Sequence, residues 1–174
     1  MIQDAHTIQY PFMGASSGYF AVFDGHGGKE AADFSSQTLH EVLENELRAS
    51  VGSNINMREC FETSYAKTDE LLKGTAVYLG TTAVTCFLRD QGSSTQLYAA
   101  NAGDARAVLC REGKALRVTC DHKPSLESER QRLVACGAFV ARNRVNAVLA
   151  VSRALGDHAL KKFVISQPSF WEGD

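Results

Sequence analysis

The chain has 174 residues, 44% of them hydrophobic and 22% charged, the make-up of one folded domain rather than a disordered or fibrous chain. Eighteen Lys and Arg against twenty Asp and Glu leave a net charge of -2, so no electrostatic pull toward nucleic acid or an anionic membrane is expected. Five cysteines (Cys60, Cys86, Cys110, Cys120, Cys136) form no CxxC pair, which argues against a disulfide framework or zinc knuckle and for reduced, mostly buried thiols.

In chain order, MIQDAHTIQY has no basic stretch leading into an apolar run, Ile2 stands where a myristoyl signal needs Gly, and no window reaches bilayer length. A cytoplasmic or nuclear location is the expectation. GYFAVFD, ending at Asp24, reads as a buried strand that runs into the tight loop DGHGG. Between Lys29 and Leu47 the apolar residues Ala31, Phe34, Leu39, Val42, Leu43 and Leu47 share one helical face, and SVGSN ends that helix. Asn56 with Glu59 opens a second helix as a capping box. Its buried stripe is Met57, Cys60, Phe61, Tyr65, Thr68 and Leu72, with Gly74 as the stop.

After Gly80 the short β-rich runs TTAVTCFL, TQLYAANA, ARAVLC and ALRVTC predict an antiparallel meander. Residues 125–135 predict a third helix, and AFVARNRVNAVLAVS returns to strand character with a turn near Asn143. Strands grouped with strands and helices with helices imply an α+β layered fold over a single domain, residues 1–174, and exclude an alternating parallel design.

The strongest chemical signal is Asp24-Gly25-His26-Gly27-Gly28, a carboxylate at a strand end followed by residues that let backbone approach a ligand. Carboxylate and carbonyl oxygens favour Mg²⁺ or Mn²⁺ over zinc, and His26 supplies a proton carrier beside them. The same residues also suit a glycine-rich turn that caps the following helix. Asn101 to Arg106 places Asp104 at a turn between strands, which an ordinary hairpin would explain equally well. In SRALGD, Arg153 and Asp157 are expected either to pair across a short helical turn, as a structural ion pair, or to support a site, and Asp121 and His122 suit a loop cap. Asp4 and His6 in QDAH offer a further carboxylate and imidazole.

QDAH, FAVFDGHGG, GTTAV, NAGDARAVL, DHKP and LAVSRALGD together, in this order, resemble the metal-dependent type 2C protein Ser/Thr phosphatases over essentially the whole chain. The resemblance implies a four-layer αββα sandwich of two antiparallel sheets flanked by helices. It also implies hydrolysis of phosphoserine and phosphothreonine by a metal-activated water without a covalent enzyme intermediate, on phosphorylated protein substrates. By the same resemblance Asp24 bridges two Mg²⁺ or Mn²⁺ ions, the Gly25 carbonyl and the QDAH pair Gln3 and Asp4 ligate at that site, Asp104 serves a weaker third site, and His26 is the general acid.

Two departures stand out. The family places Glu where this chain has Gln3, an amide oxygen without charge, which lowers the expected cation affinity. The family's upstream phosphate-binding Arg, its DGxWD motif and a later Asp beside Asn have no counterpart, which reads as a truncated catalytic domain. The alternative is a phosphatase-like module that binds or regulates without hydrolysing. A nuclease would need a basic surface that the composition does not announce.

Overall fold

The structure, a computed structural model, describes residues 3–50 and 55–174. Met1 and Ile2, and residues 51–54 of the expected SVGSN break, lie outside the described residues. Strand β1 (Ala5–Gln9) is followed by β2 (Gly18–Phe23), and after Asp24 alone by the short β3 (Gly25–His26). Helix α1 (Glu30–Ala49) and helix α2 (Met57–Leu71) come next, then β4 (Gly80–Thr81), β5 (Ala83–Asp90) and β6 (Thr95–Ala102). The remainder comprises β7 (Val108–Arg111), β8 (Lys114–Arg117), α3 (Glu127–Ala135), β9 (Val140–Ala141), β10 (Arg144–Val145), β11 (Leu155–Gly156) and β12 (Ser169–Gly173).

The main sheet runs β1-β2-β5-β6-β12 with every neighbour antiparallel. Side chains alternate across a strand, so register decides which residues meet the helices. Tyr19 lies opposite Phe87, Ala21 opposite Thr85, and Thr85 opposite Ala100, which gathers Tyr19, Phe23, Phe87 and Tyr98 on one face. There they join Ala31, Leu39, Leu43 and Leu47 of α1 and Met57, Cys60, Phe61 and Tyr65 of α2 in the principal core. Tyr65 ties α2 to the sheet: its buried hydroxyl lies 3.2 and 3.1 Å from the Ala83 and Ala100 carbonyl oxygens and 3.0 Å from Thr85 Oγ1. The opposite face carries Ile8 and Val22, which are 64% and 49% exposed. A smaller cluster of Leu133, Ala138, Val145, Val151, Ala154 and Val164 forms under α3.

The α+β architecture of antiparallel sheets and flanking helices is the expected one; α1 and α2 start where their sequence signals stand, while α3 starts at Glu127, two residues after the expected position 125. Asn56 caps α2, its side chain accepting from the Glu59 N–H at 3.2 Å. The expected meander is corrected in one respect. The β5–β6 hairpin belongs to the main sheet, whereas β7 and β8 pair only with each other among the described residues. Strand texture reports propensity, and sheet membership depends on long-range partners that propensity does not encode. In AFVARNRVNAVLAVS only β9 and β10 form a ladder, about a turn in which Arg142 and Asn143 both take left-handed φ, at 53° and 57°. The thiols are free as expected but not mostly buried: Cys60 is buried, while Cys110 and Cys120 are exposed. Among the described residues no helix is long and apolar enough to cross a membrane.

Candidate active site

Asp24 is the only residue between β2 in the main sheet and β3 in a second, three-stranded sheet ordered β11-β4-β3. Thr82 likewise separates β4 from β5, so both chain segments change sheets at the same level. The two crossing residues are bonded to each other. The Asp24 N–H donates to Thr82 Oγ1 at 3.2 Å, and the Thr82 N–H donates to the Asp24 carbonyl at 3.0 Å. This is the structural content of GTTAV, which by itself carries no chemistry.

The Asp24 carboxylate is thereby held facing solvent. Partial burial first, then the neighbouring Asp4 and Asp104 carboxylates, push its pKa above the ordinary value of 3.8, with His26 pulling the other way. Neither Asp4 nor Asp24 has a Lys or Arg partner among the described residues, whereas Asp104 has Lys123 at 3.5 Å. Gln3 arrives at the same place: a Cβ on Gly25 would collide with the Gln3 carbonyl oxygen, so the glycine lets the opening segment close over the loop. Among the described residues no three His, Cys, Asp or Glu side chains come together as a ready-made metal cage. What the fold provides is a line of mutually repelling acids with main-chain carbonyls beside them. That all-oxygen donor set fits a hard divalent cation, which would offset the repulsion at Asp24.

The second candidate turn is built differently from a hairpin. At the end of β6, the Gly103 N–H lies 3.3 Å from His122 Nδ1, its carbonyl accepts from the His122 N–H at 2.8 Å, and Asn101 Nδ2 donates to the same carbonyl at 3.0 Å. NAGD and DHKP are thus one unit, and it sets the position of Asp104. Burial and the Arg153 charge lower the His122 pKa from 6.5 to about 4. Asp121 accepts a bidentate pair from Arg106, at 3.0 and 2.6 Å, and a further hydrogen bond from Arg117.

The expected Arg153 to Asp157 ion pair does not form. Arg153 donates instead to the buried Glu129, at 3.1 Å from Nε and 2.6 Å from Nη2. Asp157 meets His26, with Nε2 and Oδ2 2.6 Å apart. The backbone explains the exchange. Leu155 and Gly156 form β11 and Gly156 takes φ of 81°, so the helical geometry that would bring residues 153 and 157 together never forms. Sequence reasoning misses this partner, and the signal that could find it is the glycine before Asp157 at a strand end. Cys136 and Arg142 stand as in the CxxxxxR loop of thiol phosphatases, but Cys136 closes the C-terminus of α3, the negative end of its dipole, and is no phosphate cradle.

A family model described as Protein phosphatase 2C matches residues 2–172. The chain belongs to the protein phosphatase 2C family. Among its relatives, protein phosphatase 2C homolog 1 of Schizosaccharomyces pombe is 41% identical, over 96% of this chain and 49% of that protein. The homolog 1 of Saccharomyces cerevisiae is 36% identical, over 96% of this chain and 64% of that protein. A solved structure described as a C. elegans sex determining protein superposes with a TM-score of 0.86 at 26% identity, over 99% of this chain and 45% of that one. The serine-threonine phosphatase 2C from Toxoplasma gondii shares the fold, with a TM-score of 0.80 at 19% identity, over 99% of this chain and 69% of that one. The chain spans about half the length of the curated protein phosphatase 2C relatives it matches, 49% and 38% for the first two.

Proposed function

We propose that this chain carries the Asp24 and His26 part of a protein serine/threonine phosphatase that acts on phosphorylated protein substrates with Mg²⁺ or Mn²⁺. The observation that supports it most is the Asp24 carboxylate, fixed at the crossing between two sheets, flanked by Asp4 and Asp104, and without a basic partner among the described residues. The Asp24 carboxylate, the Gly25 carbonyl, Asp4 and Gln3 would hold the paired cations, and Asp104 a third. When bound, such cations supply Lewis-acid polarisation of the phosphoryl oxygens and lower the pKa of water.

The residues of the chain do the rest. Thr82 locks the main chain of Asp24 from both sides, so the acid cannot drift as charge moves in the reaction. His26, half-buried one residue beyond the Gly25 carbonyl, protonates the leaving serine or threonine oxygen, whose alkoxide is a poor leaving group. Gln3 favours a second reading, a module that binds a phosphorylated segment without hydrolysing it, because an amide adds no charge to the cation site.

Release of phosphate from a phosphothreonine peptide with Mn²⁺ separates the two. Turnover should fall by about 100-fold or more in Asp24→Ala. Equal turnover in wild type and variant would remove the proposed role of Asp24, and Mn²⁺-dependent peptide binding without turnover would favour the binding module.

A further inference from the structure

His26 has two ring nitrogens, and one of them is committed. Nε2 lies 2.6 Å from Asp157 Oδ2, while Nδ1 has no partner among the described residues and the side chain is 26% exposed. We propose that Asp157 is a positioning residue for His26: by accepting the Nε2 proton it fixes the ring and its tautomer, so that Nδ1 is the nitrogen presented to substrate. This rests on the phosphatase reading of the site.

Three features of the surroundings support a built arrangement rather than a chance contact. First, Asp157 cannot turn away. Its side chain is 6% exposed, its backbone is left-handed, and its N–H donates to the Leu79 carbonyl at 2.8 Å. The preceding Gly156 N–H is held in turn by buried Asp69 of α2 at 2.8 Å. Second, neither nearby cation competes for its carboxylate. Arg153 is taken by Glu129, and Lys161 by Asp69 at 2.8 Å. Third, the sequence keeps room for the pair. Gly80 lies opposite both His26 and Gly156 in the small sheet, and a Cβ there would come within 2.7 Å of His26 Nε2 and closer still to Asp157 Oδ2. A side chain at position 80 would drive the two groups apart, which gives GTTAV a second purpose besides holding Asp24.

The pair also borders a cavity of about 410 Å³ lined chiefly by apolar side chains, among them Val77, Val148, Leu149 and Leu160. Apolar walls limit the water that could replace the hydrogen bond, which strengthens it. A histidine held by a carboxylate at one nitrogen has the second in a fixed direction, as in other acid–base sites. In the step this serves, the oxygen of the attacking water bonds to phosphorus and its proton goes to solvent. The P–Oγ bond breaks with its electron pair remaining on Oγ, and Oγ takes the proton from Nδ1. The neutral ring keeps its proton on Nε2, hydrogen-bonded to Asp157, and solvent returns a proton to Nδ1 before the next turnover.

Long-range ¹H–¹⁵N spectra of the metal-free chain test the arrangement without any activity. Wild type, at a pH where the ring is neutral, should show His26 as the Nε2–H tautomer alone, with that proton protected from solvent exchange. Protection should be lost in Asp157→Asn and in Gly80→Ala. An Nδ1–H tautomer in wild type, or an Nε2 proton exchanging as fast there as in Asp157→Asn, overturns the proposal. Kinetics with Mn²⁺ then separate positioning from general structural support. Asp157→Asn should lower kcat on a phosphothreonine peptide by about 100-fold with KM unchanged, yet change turnover of p-nitrophenyl phosphate only a few-fold, since nitrophenolate leaves without a proton. Equal losses on both substrates overturn the positioning role. No turnover of either substrate by wild type would sink the phosphatase reading, while the spectra would still decide whether Asp157 sets the ring.

Discussion

His122 is neutral because of where it sits, and that makes it a point of acid sensitivity. Its folded pKa of about 4 lies below the ordinary 6.5, because burial and the Arg153 charge both disfavour the imidazolium. Between those values the unfolded chain binds a proton that the folded chain refuses. The contribution of His122 to stability is therefore complete above pH 6.5 and lost as pH falls toward 4. Denaturant unfolding at pH 7 and pH 5 should show this decline in wild type and a shallower one in His122→Ala. The variant should also lose about 1–3 kcal/mol at pH 7, because the Gly103 N–H is left buried beside no acceptor. An unchanged slope would mean that another group governs the acid limb. The triplet Asp24-Gly25-His26 is legible at this scale because carboxylate, glycine and imidazole are adjacent in sequence. Asp157 as the partner of His26 is not, since 131 positions separate them and the left-handed turn that joins them leaves no periodic trace.

Among the elements, α1 and α2 are readable because each buries a stripe at helical spacing and Asn56 marks a start. The β7–β8 hairpin shows what periodicity cannot supply. Its residues are exposed at nearly every position, so nothing in the alternation of side chains says which sheet it would join. Its two flanks are closed at the base, where the Ala107 N–H donates to Thr119 Oγ1 at 2.9 Å and the Val118 N–H to the Ala107 carbonyl at 3.2 Å. Two-stranded ribbons without a buried face are marginal in water. Amides of residues 108–117 should therefore exchange with deuterium at least about 100-fold faster than those of β5 and β6. Equal protection would show that the hairpin is braced by something other than its own ladder.

At the scale of the whole molecule, Glu129 ties α3 to the 152–153 segment that leads toward Asp157. Burial pushes its carboxyl up, yet hydrogen bonds from Arg153, Arg132 and Ser152 outweigh this and lower its pKa from 4.5 to about 2. The carboxylate is 2% exposed, and its loss would leave two arginines without their acid, the costly way to break a buried pair. Glu129→Gln should cost about 3–5 kcal/mol at pH 7. Its folded pKa is depressed, so this stabilisation is present above pH 4.5 and disappears as pH falls through about 2. The gap between wild type and variant in thermal melts should narrow over that window, and a constant gap would contradict the assignment. Composition and element grouping point to the α+β class correctly, because they follow from local patterns. They carry no trace of this link, which depends on α3 and residues 152–153 meeting in space.

The paired crossing at Asp24 and Thr82 has a mechanical consequence. Each residue is the splice where one strand leaves a ladder and enters another, and the splices are stapled together. Sliding either sheet past its neighbour would pull that staple open, so the acid keeps its coordinates for as long as both ladders hold. A ligand drawn to that acid would spend little of its binding energy on organising the main chain beneath it.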